Sequence, residues 1–150
     1  MDVVPILAAL ESHAMASGRF ERVNLHEAKS APGPGLTAAL WVQKIRPWAA
    51  ASGLDATSGV VTFMLRIYQN MLAEPQDAID PTILSAIDHL AGAYSNDFTL
   101  DGLIRNVDLL GASGESLSAQ AGYISIDRQL MRVMDLTIPC IVNDLWEQAP

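Results

Sequence analysis

The sequence has 150 residues, 17 acidic and nine basic, for a formal net charge of −8 at pH 7. That length fits one domain, which can bury roughly 70% of its unfolded surface without a metal or disulfide staple. Half the residues are hydrophobic, but no uncharged apolar run reaches the ~18 residues of a membrane span, apolar residues spread along the chain exclude disorder, and the acidic balance argues against gripping phosphates as a main function.

In chain order, residues 3–17 read as a helix. Val3, Leu7, Leu10 and Ala14 recur at helical spacing with Ile6 beside them. Asp2 can cap its start, Pro5 suits the first turn, and Gly18 suits a left-handed stop. Such a helix is expected to lie on a sheet. A strand is expected near residues 20–26. The alternating prolines and glycines of residues 30–35 then forbid regular structure. Residues 36–47 read as a strand, followed by a small-residue loop through Gly59.

Residues 60–71 give the clearest alternation. Val61, Phe63, Leu65 and Ile67 form one face; Thr62, Met64, Arg66 and Tyr68 form the other. A face holding both Arg and Tyr suits a subunit contact rather than deep core. A second amphipathic helix is expected over 81–95, with Asp80 as N-cap and Pro81 at its first position. Ile83, Ile87, Leu90 and Tyr94 line its inner side, with Leu84 and Ala91 adjacent. Residues 103–110 look like a strand and 111–120 like a flexible Gly/Ser loop. Two last strands, 122–126 and 130–142, flank a tight turn at Asp127-Arg128-Gln129. Pro139 inside the final run demotes its far end to an edge or a bulge. The order predicts an α+β fold: a mixed, mostly antiparallel sheet with both amphipathic helices packed on one face, over a single domain spanning 1–150.

The motifs are sparse in chemistry. Gly33-Pro34-Gly35-Leu36-Thr37-Ala38 matches GxGxxG/A in form, but Pro34 removes an amide donor and a strand follows, so a loop is expected. His13, His26 and His89 show no metal-ligand spacing. Ser113 and Ser116 sit in a loop without a base, and Cys140 reads as a small buried hydrophobe. Cys140 is the only cysteine, so no intrachain disulfide is expected and a reducing compartment is the default. The N-terminus lacks the basic region of a secretory signal. Asp127, Asp135 and Asp144 read as turn residues and ion-pair partners of Arg128 and Arg132. No catalytic residue, cofactor or metal is expected. The candidate interface residues are Trp41, Trp48, Met64, Arg66, Tyr68 and Arg132, since aromatic, Met and Arg side chains are enriched at contacts. Arg66, Arg105 and Arg132 fall in expected strands. Arg66 and Arg132 are expected to reach carboxylates of a neighbouring chain.

Three stretches carry a resemblance: VVTFMLRIYQNM (residues 60–71), DFTLDGLIRNVDLLG (97–111) and GYISIDRQLMRVMDLTIPCIVND (122–144). Together with the element order they resemble the tail terminator proteins of long-tailed bacteriophages, the lambda-type minor tail family. The resemblance implies a structural virion protein, not an enzyme. It would form a hexameric ring on the tail tube, stop tube polymerisation and offer its other face to the head connector. Its partners would be itself, the tail tube protein and the head connector or neck protein, with viral DNA passing through the lumen unbound and no membrane involved. It would assemble in the host cytoplasm and reside at the neck end of the tail. A head–tail joining or neck protein is the alternative, and a small cytosolic ligand-binding module a further one. A 150-residue domain has a radius of gyration of about 15 Å, and six in a ring leave a hole wide enough for a duplex. At −8 per chain, the ring would repel phosphates and let DNA slide.

Overall fold

A computed structural model describes residues 2–29, 35–49, 52–53, 55–72 and 75–148. Helix α1 spans Val4–Ala16. The Asp2 carboxylate accepts the Val4 N–H at 3.0 Å, an orphan donor of the first turn. Pro5 costs nothing there. Ile6, Leu10 and Ala14 are buried, while Val4 and Met15 stay in solvent on the outer side. Gly18 ends the helix at φ 68°, as expected.

Strand β1 (Arg22–Asn24) runs parallel to the start of β2 (Thr37–Pro47), with Val23 opposite Ala38. β2 is antiparallel to β3 (Ala56–Asn70), with a bulge between Val42 and Lys44. β3 is antiparallel to the 19-residue β6 (Gln129–Glu147). On its other side, β6 pairs with both β5 (Ser118–Ile126) and the two-residue β4 (Asn106–Val107). The sheet order is β1-β2-β3-β6-β4, with β5 also on β6. β3 starts earlier than its alternation suggests because Gly59 permits a close approach. A Cβ there would sit 2.7 Å from the Arg46 carbonyl oxygen and 2.8 Å from Leu145 Cδ2. The β5–β6 turn holds Asp127 and Arg128 at φ 50° and 64°, the doubly left-handed geometry that matches strand twist in two-residue hairpins.

A short 3-10 turn (Gln76–Ala78) leads into α2 (Ile79–Asn96). Its buried side is Ile79, Ile83, Ala86, Ile87, Leu90 and Tyr94, and Leu84 is left exposed. The start differs from expectation. Asp80 lies inside the first turn, not at the cap, because the 3-10 turn runs directly into the helix at Ile79, and the Asp80 carboxylate accepts from Arg132. Both helices pack on one sheet face, against Val61, Phe63, Leu65, Ile67, Leu136, Ile138, Cys140 and Val142. Tyr94 Oη donates to the Leu10 carbonyl at 2.9 Å and ties the helices together. Burial raises its pKa. The α+β fold, a mostly antiparallel sheet with two helices, is therefore as the sequence indicates.

Two details depart from it: β5 begins at Ser118, inside the stretch read as a loop, and the expected strand before it is nearly absent. Residues 103–110 are not a strand, apart from β4. The chain instead turns through Leu100, Asp101 and Gly102 at φ 48°, 55° and 84°, with Asp97 Oδ1 accepting the Asp101 N–H. The apolar residues Leu100, Ile104 and Val107 enter the core from these turns, so hydrophobicity there marks anchoring rather than a strand. The far end of β6, past Pro139, is bulged as expected: its register with β3 shifts between Gly59–Val142 and Thr57–Trp146. The Pro139 carbonyl accepts the Asp108 N–H at 2.8 Å, on the side where β5 has ended and β4 begins. A residue's two backbone groups point the same way in a strand, so the missing N–H falls in that gap and no bond to β3 is lost. Beyond Ile141 that side of β6 has no strand partner among the described residues.

Candidate interaction surface

The sheet face away from the helices holds Met64, Arg66 and Tyr68, as their shared parity predicts, and Trp41 joins them from β2 opposite Met64. It is not the open contact surface expected. Tyr68 is fully buried with Ala39, Met131 and Val133, and Ala28 and Trp41 pack against them. The segment after β1 therefore folds back over one end of this face. Burial raises the Tyr68 pKa.

Arg66 is satisfied within its own chain. Its Nε and Nη2 donate to Asp135 Oδ1 and Oδ2 at 2.6 and 3.1 Å, and Nη1 to Glu27 Oε1 at 3.2 Å. The register puts Arg66 directly opposite Asp135. The guanidinium also lies 5.5 Å from the Trp41 ring centre and 6.0 Å from that of Tyr68. The Asp135 hydrogen bond raises its pKa against the opposing effect of burial. Arg132 is likewise intramolecular. Nε and Nη2 donate to Asp80 at 2.9 and 3.4 Å, Nη1 to the Gly122 carbonyl, and the cation lies 4.4 Å from the Tyr123 ring centre. It stands opposite Gln69, on the helix side of the sheet. The expectation that both arginines wait for a neighbouring chain is thus corrected: in-register and helix-turn carboxylates of the same chain reach them first. Trp48, half-buried past the end of β2, donates its N–H to the Ser58 carbonyl at 2.9 Å. The six candidate residues do not form one patch.

The other end of the same face is crossed by residues 111–116. This segment is not the free loop its Gly/Ser content suggests. Asp108, 3% exposed, accepts the N–H groups of Gly111, Ala112 and Ser113 at 2.9, 2.9 and 2.8 Å and the Ser113 hydroxyl as well. Burial alone would raise the Asp108 carboxyl, but the Ser113 hydroxyl and the three amides outweigh it and hold it below the usual range. From this anchor the segment reaches β2, where Lys44 pairs with Glu115 and Arg46 donates to the Ser113 carbonyl. Asp-x-x-Gly was the available signal, since Asp readily accepts amides two or more residues on.

Groups with reactive potential are engaged structurally. The Cys140 thiol is fully buried, and burial pushes its pKa up to about 12. His13 Nε2 lies 2.8 Å from Asp97 Oδ2, edge-on to Tyr94. The His13 contact, and then the Asp101 amide, hold the Asp97 carboxyl below its ordinary value. Among the described residues, no three His, Cys, Asp or Glu side chains form a possible metal cluster. The Gly33-Pro34 part of the glycine motif lies outside the described residues. What sequence reasoning missed is a set of exposed apolar side chains at the strand edges: Val42 and Ile45 on β2 and Tyr123 on β5. Phe98, Leu103 and Leu110 are also exposed, and Phe98 and Leu110 line a groove beside β4. No protein-family model matches the sequence, and no curated protein matches it.

Proposed function

We propose that this chain is a tail terminator of a long-tailed bacteriophage: a structural protein, not an enzyme, that rings the end of the tail tube, halts its growth and presents the docking surface for the head connector. The observation that carries the proposal is spatial. The three stretches bearing the resemblance are separate in the sequence, yet they pack as one block. β3 lies on β6, and the 97–111 segment and β5 lie together on the other side of β6.

The physics of the role needs only surfaces. A tube of identical rings grows because each ring offers the next the same face. A terminator binds that face and substitutes one on which tube subunits gain nothing, a matter of differential affinity. A net charge of −8 per chain supports a lumen that DNA passes without sticking.

The test is a deletion. Loss of the protein is expected to give tails of uncontrolled, excessive length and heads without tails. Adding it to purified tubes is expected to stop elongation without nucleotide or metal. Tails of normal length that merely fail to join heads would reject the proposal in favour of a neck protein.

A further inference from the structure

The two outer edges of the sheet can be matched to each other. In an antiparallel sheet, successive residues send their backbone groups alternately to either side. Pro139 and Ile141 accept the Asp108 and Arg105 N–H groups at 2.8 and 2.9 Å, so odd-numbered residues of β6 face the β4–β5 side. Followed through the pairing, Ala119, Ala121, Tyr123 and Ser125 of β5 then point their N–H and C=O groups away from the sheet. At the opposite edge the same alternation leaves Leu40, Val42 and, past the bulge, Ile45 pointing outward. The bond from the Glu21 N–H to the Leu36 carbonyl, on that outer side, agrees with it. β1 covers β2 only over Thr37–Ala39. No backbone group of the described residues pairs with the outer side of residues 41–47 or of β5.

We infer that β5 of one copy adds to residues 41–47 of β2 in the next copy, antiparallel and head to tail. Direction permits it, because three successive antiparallel pairings leave β5 antiparallel to β2. Facing permits it too. The outward residues of both edges carry their side chains on the helix side, so bonding them keeps the helices of both copies on one side of a continuous sheet. Val42, Ile45 and Tyr123, 47%, 42% and 57% exposed, become neighbours across the junction. β5 carries no charged residue to oppose the apolar Val42–Ile45 edge. It also lacks the proline and bulges that keep free edges from pairing. A two-fold β5–β5 contact would leave the Val42–Ile45 edge bare, whereas the unlike contact covers both edges and can close into a ring. The inference rests on the tail-terminator proposal only for the number of copies.

Two single-cysteine additions test it, Val42→Cys and Ala121→Cys, with Cys140 retained because its thiol is buried. A short bismaleimide is applied to each variant alone, to their mixture, and to the double variant, at high concentration and on tail tubes. A linked product in the mixture but in neither variant alone, and a ladder from the double variant, are expected. Linkage of Ala121→Cys alone would overturn the inference in favour of a two-fold contact. Rings on tubes without mixed product would overturn it while leaving the tail-terminator proposal standing. Mixed product from a protein that does not cap tubes would keep the junction and reject that proposal. Ala121→Pro, which removes an outward N–H and no bond to β6, is expected to weaken self-association about tenfold with an unchanged circular dichroism spectrum. Unchanged association would count against the junction.

Discussion

Replacing Asp108 by Asn tests whether one carboxylate holds the 111–116 segment in place. Oδ1 accepts the Gly111 and Ala112 amides, and Oδ2 accepts the Ser113 amide and hydroxyl. Asn keeps one carbonyl oxygen and puts an NH2 donor against the Ser113 N–H. The hydroxyl can rotate to accept, but the amide cannot. One bond to a charged acceptor is lost and the remaining ones weaken, for about 2 kcal/mol. Ala removes all four acceptor contacts, for about 4 kcal/mol, since water reaches part of the segment. In a domain of this size those losses correspond to melting-temperature decreases of roughly 4–8 °C and 8–16 °C. Hydrogen exchange of the Gly111, Ala112 and Ser113 amides should accelerate in both variants. A double-mutant cycle with Ser113→Ala should show coupling, because the two side chains share a bond. If Asp108→Asn melts with the parent and those amides exchange no faster, Asp108 is not the anchor.

Leu65→Asp and Ile87→Asp each place a charge in the core between sheet and helices and should unfold the chain, a loss exceeding about 4 kcal/mol; retained far-ultraviolet dichroism with a near-parent melting point would refute the packing. Arg66→Ala strands the partly buried Asp135 and should cost about 2–3 kcal/mol, whereas Arg132→Ala, whose partner Asp80 is 66% exposed, should cost about 1 kcal/mol or less; equal losses in urea titration would contradict the difference in burial. Acid should destabilise the protein through Asp97 and Asp108, whose folded pKa values lie below the unfolded 3.8: their contribution is complete above that value and is lost as pH falls through the lower folded values. Urea midpoints measured against pH should drop in that window, and Asp97→Asn should shallow the drop.

Local periodicity carried most of the architecture. The alternation from Val60 onward, the spacing of Ile83, Ile87, Leu90 and Tyr94, and the turn at Asp127-Arg128 are properties of short windows, and each element forms around its window, with β3, β5 and β6 extending beyond it. What short windows cannot hold is which distant segment covers a face. The same Arg66 and Tyr68 that look solvent-facing are enclosed because Glu27, Ala28 and Asp135 arrive from elsewhere. Residues 103–110 show a related limit. A run of apolar residues states that something is buried, not the backbone by which it gets there. Pro139 fails the central-strand rule only because β5 and β4 leave a gap beside it, a fact of tertiary register. The unguarded β5 edge, by contrast, was written in the sequence as an uncharged stretch, and its meaning needed the strand order.

The 19-residue β6 also governs the order in which this chain can acquire its shape. It follows the other described strands in the chain, and three of them pair with it. Phe63 meets Ile138 only after the whole of α2 and the turns behind it have left the ribosome. Pairings this distant are slow to close, because loop entropy is lost before the contact is gained. Until then the nascent β2–β3 hairpin displays one flank of β3, with Val61, Phe63, Leu65 and Ile67 uncovered, the kind of strand that aggregates when kept waiting. A ribosome-stalled chain lacking β6 should therefore recruit chaperones, and release of the full strand should end that recruitment in a single cooperative step.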